Sequence, residues 1–241
     1  MLGGWLQCLV VVHTRAVLWD VDGTLVDSTA LGLTATNKVL SEQNFDAVTQ
    51  DEYYRGCRFS TPDRFNFHLK QPPGSKLGIA LGDLFDRTYV SQVSKKTAGL
   101  FDGMEQLLRS LAMAGHPQGV LSNACGEYVR AVVRANELDS VDGIRVGIFG
   151  AALGADEVAS PKPSGAGLLS MCDLLGVDPS LSVYVGDSPT DGGAARAAGM
   201  KSIGVTWGAN CRSSLEGHFD TVVEDISGLA SALYDCVGCS E

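Results

Sequence analysis

The sequence lacks any run of the ~20 consecutive apolar residues needed to span a bilayer. Its short apolar stretch within residues 1–12 has no basic flank of a secretion signal and reads as the approach to a first strand. Cations are scarce: 18 Lys and Arg stand against 28 Asp and Glu, a formal net charge of −10 that opposes adhesion to nucleic acid or anionic membrane. An anionic ligand must then be caught by a local cluster of positive groups. Histidine is sparse, and His13, His68, His116 and His218 are too dispersed to make a metal-ligand pattern. The seven cysteines (Cys8, Cys57, Cys125, Cys172, Cys211, Cys236, Cys239) are odd in number and scattered, so no disulfide framework is expected. A reducing compartment, cytoplasmic or another, fits that usage, and organellar targeting stays open. Cys236 and Cys239 have the spacing of a redox or metal pair, but no second pair accompanies them.

What is present is ordinary globular composition, 45% hydrophobic and 19% charged, enough for a sizeable core. At 241 residues, one large domain or a core carrying an insertion is expected. The chain is organised around residues 16–25. Val10, Val11, Val12, Val17 and Leu18 form a β-branched apolar run that ends in Asp20 and Asp22, followed by Gly23 and Thr24. This reads as a buried strand delivering polar groups at its C-terminal tip. Two carboxylates two residues apart lean to the same side of an extended chain. They repel unless a cation lies between them or one keeps its proton. Gly23 permits a sharp turn and Thr24 adds a hydroxyl.

From residue 27 to 97 the texture is polar and aromatic, with helical spacing at 30–40 and 77–93 and a break at Pro72, Pro73 and Gly74. A mainly helical insertion is expected there. Arg55, Arg58, Arg64, His68 and Lys70 concentrate cations in it, most of them as a solvated face. Arg58 and Arg64 are the choices for substrate contacts.

Past residue 97 strands and helices alternate. Helices are expected at 101–114, 128–136, 168–175, 192–198 and 226–234, and strands at 118–121, 144–149, 181–185 and 202–207. Such alternation predicts an α/β fold with a parallel sheet covered on both faces, which binds ligands outside the carboxyl ends of its strands. Those ends supply Asp20, Asp22, Ser122, Asn123, Lys162, Asp187 and Asp191, with Lys162 stiffened between Pro161 and Pro163. Several carboxylates with one lysine suggest a hard divalent cation, Mg²⁺ above all. Lys162, Ser122 and Asn123 would then donate to phosphoryl oxygens, around an Asp nucleophile.

The motifs Asp20-Val21-Asp22-Gly23-Thr24, Ser122-Asn123, Lys162-Pro163 and Gly186-Asp187-Ser188-Pro189-Thr190-Asp191 closely resemble those of the haloacid dehalogenase superfamily, specifically its phosphoglycolate-phosphatase-like members with a helical cap. The resemblance covers nearly the whole chain. It implies a Rossmann-like core from residues 1–26 and 98–241, and a mainly α-helical cap at 27–97. It further implies Asp20 as a nucleophile that becomes an aspartyl phosphate, and Asp22 as acid and base whose main-chain carbonyl binds the metal. Ser122 and Lys162 would hold the phosphoryl group. Asp187 would complete the Mg²⁺ shell with Asp20, and Asp191 would support it or orient Lys162, with Gly23, Thr24, Asn123 and Ser188 alongside. Trp19 stands where the family has Phe, and Lys162-Pro163-Ser164-Gly165 lacks a second proline. The expected activity is hydrolysis of a small phosphorylated metabolite, with 2-phosphoglycolate as candidate. A sugar-phosphate mutase of β-phosphoglucomutase type and a catalytically idle relative that binds a phosphate ligand or a protein partner are the alternatives. The expected partner is the small phosphorylated metabolite, with no nucleic acid and no membrane, and oligomeric state leaves no trace.

Overall fold

The computed structural model describes residues 15–139 and 147–238. The expectations at Val10, Val11 and Val12, at Cys8 and His13, at residues 144–146 and at Cys239 lie outside them. A six-stranded sheet has the order β5-β4-β1-β6-β7-β8, from β1 (Val17–Trp19), β4 (Gln118–Leu121), β5 (Ala151–Leu153), β6 (Val183–Gly186), β7 (Lys201–Val205) and β8 (Thr221–Val223). Every pairing in it is parallel. Parallel neighbours need crossovers, and helices α5 (Met104–Met113), α6 (Gly126–Ala135), α7 (Ala166–Leu175), α8 (Pro189–Ala198), α9 (Arg212–Leu215) and α10 (Ile226–Val237) lie along the connecting segments or follow the last strand. Both faces are therefore buried. Val17, Trp19, Val120 and Val185 turn to one side, while Ala16, Leu18, Leu121 and Tyr184 turn to the other against Leu168, Met171, Ala194 and Ala195. Strands β4 and β6 flank β1, so the chain winds away from the centre in two directions. A crevice opens where those directions diverge.

Between β2 (Val26–Asp27) and β3 (Gly99–Leu100), an antiparallel pair, come four helices: α1 (Thr29–Glu42), α2 (Gln50–Gly56), α3 (Thr61–His68) and α4 (Lys76–Ser91). Helix α4 packs on α1, α3 and α6. Its buried stripe of Leu81, Phe85 and Tyr89 follows helical periodicity and joins the same apolar cluster as the sheet.

Most expected elements stand within a few residues of their places. The strand expected at 144–149 is a correction. Among the described residues Gly147–Gly150 is not strand, and the edge strand is Ala151–Leu153, held by its register with Gly119, Val120 and Leu121. The strand expected at 202–207 runs over Lys201–Val205. Helices α2, α3 and α9 and strands β2, β3 and β8 were not singled out from the sequence. No helix among the described residues is long and apolar enough to cross a membrane.

Candidate active site

The crevice floor is assembled from strand tips. Asp20 is the residue just past β1, Ser122 the residue just past β4 and Asp187 the residue just past β6, while Lys162 comes from the loop after β5 and Asp191 from the first turn of α8. All five are buried. The Lys162 Nζ donates to Asp20 Oδ1 at 2.5 Å, to Asp191 Oδ1 at 2.6 Å and to the Tyr184 hydroxyl at 3.1 Å. Asn123 pins the lysine loop: its Oδ1 accepts the Lys162 N–H at 2.9 Å and its Nδ2 donates to the Lys162 carbonyl at 3.1 Å. Thr24 Oγ1 donates to Asp20 Oδ2 at 3.1 Å. Ser188 caps α8, its hydroxyl donating to Asp191 Oδ2 at 2.6 Å while its N–H reaches the same oxygen at 3.0 Å. Asp187 Oδ2 accepts the Ala209 N–H at 2.7 Å. Gly23, at φ +78°, and Gly208 close on that carboxylate, since a Cβ would lie 2.3 Å from Asp187 Oδ2 at the first and 2.1 Å at the second.

Charge is crowded here. Burial pushes the Asp20 carboxyl up to about 7; Lys162 pulls the other way, and Asp191 and Asp22 push up again. Asp187 is pushed well above the carboxylate range by burial, then by Asp20 and Asp191. Burial works against the Lys162 ammonium, but Asp191 and Asp20 outweigh it and hold the amine charged well beyond its usual range. Asp20, Asp187 and Asp191 each offer an oxygen within 4.8 Å of the others. One lysine shared by two of three acids cannot balance all three as carboxylates, and a cation held among their hard oxygen donors would. That donor set fits a hard divalent cation such as Mg²⁺.

Asp22 lines the same cavity as Asp20, but its carboxylate is turned to a ring of hydroxyls. Its Oδ1 accepts from Ser28 at 2.5 Å, Tyr128 at 2.5 Å and Tyr89 at 3.0 Å, and its Oδ2 accepts from Ser122 at 3.2 Å. The carboxylate cluster is accordingly Asp20, Asp187 and Asp191, and the Asp22 side chain is not in it.

Above this floor is a cavity of about 470 Å³ whose wall comes from the inserted helices, with Tyr53, Tyr54, Arg58, Phe59, Arg64 and Phe85 among its lining. The two arginines chosen from sequence both face it and differ sharply. Arg58 is exposed and lies 4.8 Å over the Phe59 ring. Arg64 is only 8% exposed. Its guanidinium is caged by the rings of Phe85 at 4.3 Å, Tyr53 at 5.3 Å and Phe65 at 5.9 Å. The Nε and Nη2 of Arg64 are buried without a hydrogen-bond partner.

Sequence reasoning missed Ser28, Tyr89, Tyr128 and Tyr184 as parts of the site. Tyr89 reads as one member of an apolar helical stripe and Tyr184 as a core strand residue, so no spacing signal marks their hydroxyls.

The family model of haloacid dehalogenase-like hydrolases matches residues 17–205. A phosphoglycolate phosphatase of Xanthomonas campestris pv. campestris is 34% identical over 198 residues, covering 80% of this chain and 84% of the relative. A second phosphoglycolate phosphatase, from Shigella sonnei, is 29% identical over 245 residues, covering 91% of this chain and 92% of the relative. Among solved structures, a haloacid dehalogenase-like hydrolase from Bacteroides fragilis superposes with a TM-score of 0.78 at 22% identity, over 90% of this chain and 99% of that one. CbbY from Rhodobacter sphaeroides, in complex with phosphate, gives 0.73 at 22% identity, over 87% and 93%. At such identities the structures bear on fold alone.

Proposed function

This chain belongs to the haloacid dehalogenase-like hydrolases and is a phosphatase of that family, and from that premise we propose that it is a Mg²⁺-dependent phosphomonoesterase working through an aspartyl phosphate on Asp20. The observation that carries the reading is Lys162, whose one amine bonds both Asp20 and Asp191 on a buried floor shared with Ser122 and Asp187.

Asp20, whose ionised form Lys162 favours against burial, attacks phosphorus; a bond from its carboxylate oxygen to phosphorus forms as the bond to the ester oxygen breaks. Asp22 gives its proton to the departing alkoxide. Asp22 then takes a proton from a water that attacks phosphorus, the bond to Asp20 breaks, and inorganic phosphate leaves with the carboxylate restored. Lys162 and the Ser122 hydroxyl hold the phosphoryl oxygens, and Asn123 keeps the lysine loop in place. Asp20, Asp187 and the Asp22 carbonyl would hold Mg²⁺, with Asp191 behind them. The ion, when bound, neutralises charge on the phosphoryl oxygens.

Residues 27–97 act as a cap that closes over the cavity, expels water and selects the substrate. The substrate is a small phosphorylated metabolite. Arg58 and Arg64 are its contacts outside the phosphoryl group, and Arg64, with the donor nitrogens Nε and Nη2 unpaired, suits a carboxylate. The relatives' activity and that unmatched guanidinium both support 2-phosphoglycolate as the first ester to try. Phosphate release from a panel of phosphorylated metabolites, with and without chelator, tests the proposal. Chelator-sensitive release is expected, and silence across the panel would refute it.

A further inference from the structure

Asp22 is held by more hydroxyls than a surface acid has any use for, and the arrangement is lopsided. Its Oδ1 takes three hydrogen bonds, from Ser28, Tyr128 and Tyr89, while its Oδ2 takes one long bond of 3.2 Å from Ser122. A carboxylate oxygen has two lone pairs, so the 2.5 Å bonds from Ser28 and Tyr128 fill Oδ1, the single Tyr89 proton is shared between Oδ1 and the Tyr128 oxygen, each at 3.0 Å, and Oδ2 is the oxygen with capacity to spare. The two tyrosines come from different parts of the chain. Tyr89 is on inserted helix α4 and Tyr128 on α6, which follows β4. Their rings stack at 4.2 Å with 18° between planes, and their hydroxyls are 3.0 Å apart. Both residues are buried, at 3% and 0% exposure. Tyr89 is in turn packed against Phe85 at 4.7 Å, and Phe85 against the Arg64 guanidinium at 4.3 Å. The tyrosine that reaches Asp22 from the insertion thus sits at the end of a stack that begins at the cavity wall.

We infer that Tyr128 and Tyr89 are positioning residues for Asp22, fixing Oδ1 so that Oδ2 faces the ester and exchanges the proton with the leaving oxygen. The inference rests on the acid and base role proposed for Asp22. Tyr128 supplies the anchor beside the sheet. Tyr89 supplies the second hydroxyl only while α4 is packed on α6, so the seating of the inserted helices and the aim of the acid are set by the same contact. Phenol-to-benzene replacement removes the aim without emptying the stack.

The test compares Y128F and Y89F with the unaltered enzyme on an alkyl ester, 2-phosphoglycolate, and on p-nitrophenyl phosphate. The phenolate of the second leaves without needing a proton. The ratio kcat/KM reports steps only through departure of the leaving group, so the later base step does not enter. Y128F is expected to lower kcat/KM on the alkyl ester about tenfold or more, the loss of one hydrogen bond to a charged group, and that on the aryl ester by about twofold or less. Y89F should show the same selectivity with a smaller fall, and it decides the matter if Y128F does not fold. Equal losses on both esters, or no loss on either, would overturn the inference by making the pair mere packing. D22N separates the two levels. If D22N loses the alkyl ester selectively while both tyrosine variants do not, only the positioning inference fails; if D22N shows no preference between the esters, the acid role fails and takes the inference with it.

Discussion

The floor and the wall of the cavity are built on opposite electrostatic terms. On the floor, the buried cation is fully engaged: Lys162 has Asp20, Asp191 and the Tyr184 hydroxyl around it. On the wall, the buried Arg64 has aromatic faces but no acceptor for Nε or Nη2. Preorganised, satisfied polar groups pay their ordering cost during folding and are aimed at one transition state. An unsatisfied buried donor is costly until a ligand completes it. The floor reads as chemistry and the wall as recognition, and they come from different stretches of the chain.

The largest expected effect is at the floor. D20N should lower turnover of any phosphomonoester by about a thousandfold or more, as loss of a nucleophile does, and undiminished phosphate release would end the division outright. Next is stability, where the two buried cations should respond with opposite signs. K162M leaves Asp20 and Asp191 buried and unpaired, and should destabilise by about 3–5 kcal/mol in denaturant unfolding. R64M removes two unmet donors from an apolar cage and should raise stability by about 1 kcal/mol, while raising KM for 2-phosphoglycolate about tenfold or more. A stabilised K162M, or an R64M that binds 2-phosphoglycolate as tightly as before, would erase the contrast.

The smallest effect concerns His68, at the end of α3 behind the wall. Its Nε2 is buried without a partner, and burial, then the Arg64 charge, pushes the imidazole down to about 4. Folded protein therefore keeps His68 neutral where the unfolded chain, near 6.5, already takes a proton. Its contribution to stability is present above pH 6.5 and is lost as pH falls through about 4. Thermal melts across that window should show a shallower decline for H68Q, and an unchanged slope would show that burial and the Arg64 charge do not hold His68 neutral in the folded protein.

The floor was legible in the sequence because its polar residues stand just past short apolar runs that read as strands. Asp20, Ser122 and Asp187 each follow such a run, and periodicity alone brings them to one edge of a parallel sheet. The wall was legible only in outline. Arg58 and Arg64 look alike in sequence, and burial, a tertiary property, is what separates the exposed one from the caged one. Helices α2 and α3 are short and carry little apolar contrast, although Thr49 and Glu52 at capping-box spacing and Pro62 near the start of α3 mark their beginnings. β5 eluded the reading because Ala151, Ala152 and Leu153 include no β-branched residue and are strand only through β4. The Tyr89 hydroxyl was hidden in a stripe that packing alone explains, and Tyr128 was only the first residue of the helix expected at 128–136.

The central claim, that phosphoryl transfer passes through Asp20 on a floor prepared for it, is tested most directly by acid-quenching the enzyme during turnover and locating the label by peptide mass spectrometry. A mass gain of one phosphoryl group on the peptide that contains Asp20, lost in D20N, is the result predicted here. A phosphoryl group found on another peptide, with Asp20 unmodified while turnover proceeds, would contradict it.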